Sequence, residues 1–364
     1  MNIRITTFQR AHNYGALLQV YALQEFLKKY YNVKIIDYEN KRMNLQYNPN
    51  KIKRPTLKWT IKNFIEILLY RNKMITRYNN FNNFINNKLI LTNKINHIKD
   101  IDLDKVDVLI TGSDQVWNWK LTNGLDDIYF LNFGNTIKRI SYAASLGNSK
   151  INEDYKKEFK EKISKIDKIS VREESGKKAI NEIVPNKEIE VVLDPTLLLK
   201  KAEWENFSSN SKNEKNKYIL AYIVEKNSEQ IKIVNQLSKK TGLKVIHFEK
   251  RNFYNNSLKS AYTANPQEFV ELIRNAEYIV TTSFHATVFS IIFNKKFWVV
   301  PHKSTGSRVT DLLKKLEISN RALYTYDEFN NRNYDEEIDY EKVNKILEKE
   351  REKSINWLID AIEK

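Results

Sequence analysis

The run Thr281-Thr282-Ser283-Phe284-His285-Ala286-Thr287 puts a histidine where a β-rich stretch gives way to a helical one. A ligand at the carboxyl end of such a strand meets the first turn of the next helix, whose N–H groups point at it. There the helix dipole disfavours the imidazolium and a bound phosphate favours it, which suits His285 to donate a proton near neutral pH. The alternative is a buried structural histidine. The serine beside it is not in a GxSxG elbow, which argues against hydrolase chemistry.

Three further strand ends carry candidates. Arg172, in Val171-Arg172-Glu173-Glu174, follows a short apolar run and could grip a carboxylate or phosphate with its fork of donors, or pair on the surface with Glu173 or Glu174. In Thr111-Gly112-Ser113-Asp114-Gln115-Val116-Trp117, Ser113 and Asp114 could accept sugar hydroxyls while the Trp117 indole covers a pyranose face. Equally, Asp114 could cap the following helix. After the first strand come Asn13, Tyr14 and Gly15, where a glycine and a helix start allow close approach by a phosphate or sugar. This is not GxGxxG, so a dinucleotide site is not supported.

The elements that must hold these groups alternate strand and helix, the pattern of parallel α/β sheets. Strands are expected at Asn2 to Phe8, Val33 to Tyr38, Val106 to Thr111, Arg139 to Ala144, Lys168 to Arg172 and Glu190 to Leu193. A helix is expected over Leu17 to Tyr30. The polar stretch 202–216 reads as a linker. Beyond it, strands at Tyr218 to Val224, Lys244 to Phe248, Tyr278 to Thr282 and Phe297 to Pro301 alternate with helices at Glu229 to Lys240, Pro266 to Asn275, His285 to Phe293 and Ser307 to Leu316. The expected organisation is an N-terminal Rossmann-like domain over 1–205, a C-terminal one over 217–335, and a helix in 336–364. A cleft is expected between the carboxyl ends of the two sheets. The segment Lys51 to Thr92 is a basic helical insertion, readable as a membrane-surface helix or as a helix packed on the first domain.

Composition narrows the chemistry. The 364 residues contain no cysteine, which removes thiolates, disulfides and cysteine-ligated metals. The five histidines show no HExxH-type spacing, so no metal is expected. No apolar run reaches the length of a membrane span. The N-terminus reads as a strand rather than a leader, which gives a cytoplasmic expectation. Net charge is +16, from 61 basic and 45 acidic residues. That excess fits biased composition, attraction to phosphorylated substrates or an anionic membrane face, or nucleic acid, and no nucleic-acid motif supports the last.

Six blocks, in order, resemble the polysaccharide pyruvyl transferase family: HNYGALLQVYALQEFL (12–27), TGSDQVWN (111–118), SYAASLG (141–147), SVREESG (170–176), VVLDPTLLL (191–199) and TTSFHATVFSIIFNKKF (281–297). The resemblance covers almost the whole chain. It implies two Rossmann-like domains in a GT-B-like arrangement, phosphoenolpyruvate as donor and a hexose or N-acetylhexosamine as acceptor; the expected partner is a sugar or lipid-linked oligosaccharide, and no cofactor is expected. The family's donor-site arginine looks like Arg172 and its histidine like His285. Many members carry Arg-Leu-His where this chain has Ser283-Phe284-His285, so Arg308 stands as the replacement cation, with Lys303 next. A related glycosyltransferase using a nucleotide sugar is the alternative reading.

Overall fold

The computed structural model describes residues 1–40, 61–148, 150–208, 217–224, 228–302 and 306–364, with side chains of the helix at 61–88 described from residue 69 onward. Lys53, Arg54, Lys58 and Trp59 of the basic segment, the 209–216 part of the expected linker, and Lys303 lie outside the described residues.

The chain divides into two compact units. The first comprises Met1–Gln46, Ile85–Leu199 and Asn344–Lys364; the second comprises Tyr47–Phe84 and Lys200–Val343. The first holds strands β1 (Asn2–Thr6), β2 (Asn32–Tyr38), β3 (Leu91–Ile95), β4 (Val108–Thr111), β5 (Lys138–Ala144), β6 (Lys168–Val171) and β7 (Ile189–Val191). They pair in parallel in the order β3-β2-β1-β4-β5-β6-β7. The second holds β8 (Tyr218–Tyr222), β9 (Lys244–His247), β10 (Ser257–Ser260), β11 (Tyr278–Thr281) and β12 (Lys296–Val299), parallel in the order β10-β9-β8-β11-β12. Both follow the doubly wound 3-2-1-4-5 pattern, so the expected fold class, two Rossmann-like α/β domains, is observed.

The central strands are buried on both faces. β4 (VLIT), β8 (YILAY) and β11 (YIVT) are buried throughout, as strands covered by helices must be. The helices that matter below are α1 (Tyr14–Leu27), α2 (Ile61–Lys88), α3 (Pro266–Asn275), α4 (Phe284–Ile292), α5 (Ser307–Lys315) and α6 (Tyr340–Glu363). α1 begins earlier than its periodicity predicts, because the Asn13 side chain accepts the Ala16 N–H and caps it. α3 begins where predicted: Pro266 occupies its first turn, and Asn265 and Glu268 cap each other's backbone.

Two expectations need correction. Residues Lys201–Phe207 form a helix, not a linker, and Trp204 is fully buried within the second unit. Trp204 packs edge-on against Phe289 at 4.8 Å, so two aromatic side chains anchor a segment that is otherwise polar. The edge strands β3 and β10 are partly exposed and polar, which hid them in the sequence.

α6 carries residues of both units. From Asn344 onward it covers the first sheet with Leu358 and Ile362, both fully buried. Ser354 Oγ accepts the Leu193 N–H at 3.0 Å, and Arg351 Nε donates to the Leu197 carbonyl at 2.7 Å. Leu358→Ala is expected to lower the unfolding free energy by about 2–5 kcal/mol through lost burial and a residual cavity. Denaturant unfolding checks this, and a change within about 0.5 kcal/mol would mean that the helix does not seal the sheet.

Candidate active site

In the first unit the crossover changes direction between β1 and β4, which pair side by side, and the loops after these strands flank that switch point. A buried polar network closes it. Arg172, at the end of β6, has a side chain only 1% exposed. Its Nη1 donates to Asp194 Oδ2 at 2.7 Å and to Ser113 Oγ at 3.3 Å. Glu173 and Asp114 each lie 3.8 Å from the guanidinium. Burial pulls the arginine's proton affinity down, but Asp194, Glu173 and Asp114 together hold it above its ordinary value. The surface ion pair considered from sequence is therefore a buried one, and its main partner is Asp194.

Asp194 is saturated. Ser113 Oγ donates to its Oδ2 at 3.1 Å, while its Oδ1 accepts the Thr196 N–H at 3.0 Å and the Thr196 hydroxyl at 2.6 Å. Ser145 Oγ donates to Glu173 Oε1 at 2.6 Å. Thr7 Oγ1 donates to the Ser113 carbonyl at 2.8 Å. One guanidinium thus faces three carboxylates, Asp114, Glu173 and Asp194. This end of the first unit favours hydrogen-bond donors over anions.

Asp114 is the partly exposed carboxylate of the group. Its φ is 78°, in the left-handed region that few non-glycine residues adopt. Its Oδ1 accepts the Gln115 N–H at 2.9 Å and its carbonyl accepts Ser145 N–H at 2.9 Å. The next helix, Trp119–Thr122, is capped by Asn118, so Asp114 is not a helix cap. Ala143, at the end of β5, also has a left-handed φ, of 52°. Gly147 has φ 67°, and a Cβ there would overlap the Gln115 side chain. Two neighbouring strand ends are thus locked in uncommon conformations, a feature that concentrates at functional sites.

Other expected acceptor residues are less accessible. Trp117 is fully buried, donates from Nε1 to the Tyr129 carbonyl at 3.0 Å, and stacks on Phe130 at 5.7 Å. It serves as a core aromatic rather than as an exposed sugar platform. Tyr14 and Gly15 are buried in the first turn of α1, and Asn13 is committed to capping it. Ser113 is buried and donates to Asp194. Asp194 was missed as a site residue, although a strand followed by Asp-Pro was visible in its block.

In the second unit the switch point lies between β8 and β11. Hydroxyls organise it. Thr281 Oγ1 donates to the Tyr222 carbonyl at 2.7 Å and accepts the Ser283 N–H at 2.9 Å. Thr282 Oγ1 accepts the Val224 N–H at 3.0 Å. Ser283 is the N-cap of α4: its Oγ accepts the Ala286 N–H at 3.4 Å, and its carbonyl accepts the Thr287 hydroxyl at 2.9 Å. His285 is therefore the second residue of the helix, 7% exposed, with its ring 5.1 Å from that of Phe284. The Arg308 guanidinium lies 6.0 Å from the same Phe284 ring, on the first turn of α5. Gly306 precedes that turn, and a Cβ there would overlap the His302 carbonyl. Among the described residues no group of three His, Asp or Glu side chains is placed to hold a metal ion, and no helix is long and apolar enough to cross a membrane.

Comparison with known proteins adds to this geometry. Residues 13–304 match the family model described as polysaccharide pyruvyl transferase. Among curated proteins none matches the chain. The structure is similar to UDP-N-acetylglucosamine 2-epimerase from Rickettsia bellii, with TM-score 0.50 and 11% identity, covering 99% of this chain and 96% of that one. It is equally similar to MnaA of S. aureus, whose structure includes UDP, with TM-score 0.50 and 11% identity over 90% and 85% of the two chains. At such identity the likeness is one of fold alone.

Removing one partner of a buried ion pair leaves the other charge unmatched, and the loss typically reaches about 3–5 kcal/mol. Asp194→Ala is accordingly expected to destabilise the protein by about that much in denaturant unfolding, whereas Asp114→Asn, at a partly exposed position, leaves the midpoint nearly unchanged. Equal midpoints for Asp194→Ala and the parent protein would show that the Arg172 pair is not needed to hold the strand ends.

Proposed function

Because the chain belongs to the polysaccharide pyruvyl transferase family, we propose that it moves a pyruvyl group from phosphoenolpyruvate onto a pair of sugar hydroxyls of a surface-glycan precursor, forming a ketal. The observation that carries this reading is His285 in the first turn of α4 with Arg308 across the same phenylalanine ring. A trianionic donor needs positive potential, and the first turns of two helices together with one guanidinium supply it. Arg308 answers the replacement of the family's usual arginine by Ser283.

In this mechanism His285 protonates the methylene carbon of the enol. The adjacent carbon becomes electrophilic and a sugar hydroxyl adds to it, losing its proton. The carbon–oxygen bond to phosphate then breaks and phosphate leaves with the electron pair. The second hydroxyl adds to the same carbon and closes the ketal, its proton passing to the departing phosphate. Asp114 orients the acceptor and takes its proton, since a partly exposed carboxylate beside a net-negative cluster favours a hydroxyl donor. Arg172 acts as a positioning residue that fixes Asp114 and Asp194, in place of the donor grip expected from sequence. Ser283 contributes by capping α4. The acceptor is a sugar or a lipid-linked oligosaccharide, and the basic segment Lys51 to Thr92 would bring the enzyme to an anionic membrane face.

Incubation with phosphoenolpyruvate and a panel of lipid-linked and nucleotide sugars is expected to release phosphate. Silence across the panel, with no phosphoenolpyruvate binding by calorimetry, excludes the reading. A rise in thermal midpoint with UDP-N-acetylglucosamine but not with phosphoenolpyruvate would instead favour a nucleotide-sugar transferase.

His285→Gln is expected to fold normally and to lose turnover about a hundredfold or more, on the order of 3 kcal/mol, because an amide cannot deliver the proton. Activity within a few-fold of the parent removes His285 from the mechanism. Arg308→Ala is expected to raise the KM for phosphoenolpyruvate at least about tenfold, the scale of one charge-assisted contact, with the acceptor's KM little changed. Adding Ser283→Arg to that variant is expected to recover part of the affinity. Unchanged donor KM in Arg308→Ala would assign the donor's charge to other groups.

A further inference from the structure

The second unit contains a groove of about 670 Å³ that the proposed mechanism does not use. One wall is α3, contributing Gln267, Glu268, Glu271 and Asn275. The opposite wall is the end of β10 and the loop after it, with Lys259, Ser260 and Thr263, and α2 adds Asn80. From Gln267 to Asn275 the helical wall runs for about 12 Å at 1.5 Å per residue, longer than one sugar ring. Ala261, Ala264 and Leu272 give it apolar ground.

The chemistry of the lining selects a class of ligand. Two carboxylates, Glu268 and Glu271, stand against one ammonium, Lys259, so a phosphate is repelled. Amides and hydroxyls both donate and accept, as the hydroxyls and acetamido groups of sugars do. Glu271 points to the same class independently. The residue is 5% exposed, and its Oε1 is buried with no hydrogen-bond partner among the described residues. Its charged neighbours in the unit are Arg274, Glu268 and Lys259, and burial pushes its carboxyl above the usual range. Ionised, the carboxyl accepts, and protonated it can also donate; a sugar hydroxyl, which does both, meets either form. Leaving such an oxygen unmet is unfavourable, and a sugar hydroxyl would satisfy it.

We infer that this groove is a carbohydrate subsite that holds sugars of the glycan acceptor away from the hydroxyl pair that receives the pyruvyl group. The inference rests on the proposed transfer to a glycan. It adds a reason for the enzyme to prefer oligosaccharides over single sugars.

The test uses the full chain and a panel of neutral di-, tri- and tetrasaccharides of glucose, galactose, mannose and N-acetylglucosamine, read by saturation-transfer NMR. Tri- and tetrasaccharides are expected to bind, and Glu271→Gln to weaken them about five- to tenfold, the weight of one hydrogen bond. Thr263→Trp, which fills the groove from its loop wall, is expected to abolish binding, with thermal midpoints of both variants near the parent's. Binding that is unchanged in both variants, or no binding of any oligosaccharide, overturns the inference. Phosphate release from phosphoenolpyruvate, measured on the same preparations with a single-sugar acceptor, separates the two readings. Release that persists in both variants, while oligosaccharide binding is weakened in Glu271→Gln and lost in Thr263→Trp, is the expected result. If no preparation binds or turns over phosphoenolpyruvate, the transfer reading fails and the oligosaccharide titrations alone decide for or against the groove.

Discussion

A guanidinium taken out of water at the end of β6 governs how the first unit is built. Arg172 is stable there only if carboxylates come to it, and the nearest, Asp194, belongs to the segment after β7. Asp194 also caps the turn Pro195–Leu197 and is held by Thr196. Ser113 donates to Asp194 and accepts from Thr7 through its carbonyl. The ends of β1, β4, β6 and β7 are thereby joined through one ion pair and its hydroxyls. Asp114 hangs from that frame, in a backbone conformation that the frame imposes.

The second unit solves the same problem with neutral groups. Thr281 and Thr282 tie the end of β11 to the end of β8 through hydroxyl-to-backbone bonds, and Ser283 ties it to the first turn of α4. Such a scaffold adds no formal charge of its own, so the two helix starts and Arg308 set the local potential.

Much of this was legible in the sequence. Buried parallel strands such as Val108–Thr111 read as apolar runs, and the helix expected over Pro266 to Asn275 matches α3 to the residue. His285 was found at its strand–helix turn because the turn sits beside an unbroken apolar strand. The losses have physical causes. β3 and β10 are edge strands whose exposed residues carry no alternation. Lys201–Phe207 looked like a linker because two buried aromatics decide its fate, too few for a period. Trp117 read as a sugar platform because the sequence cannot reveal that Phe130 and Phe159 close around it. Asp194 escaped notice because its significance lies in a partner 22 positions away.

The assignment of residues 344–364 to the first unit bears on how the protein is made. The second unit draws most of its residues from the single stretch 200–343, so on a ribosome it can complete its sheet while the first still lacks the helix that covers Leu193 and its neighbours. Until then an apolar face of the first sheet stays open to water and to other nascent chains. Premature release within α6 would therefore yield a chain with one finished unit and one sticky one, a substrate for chaperones and proteases rather than a slower enzyme.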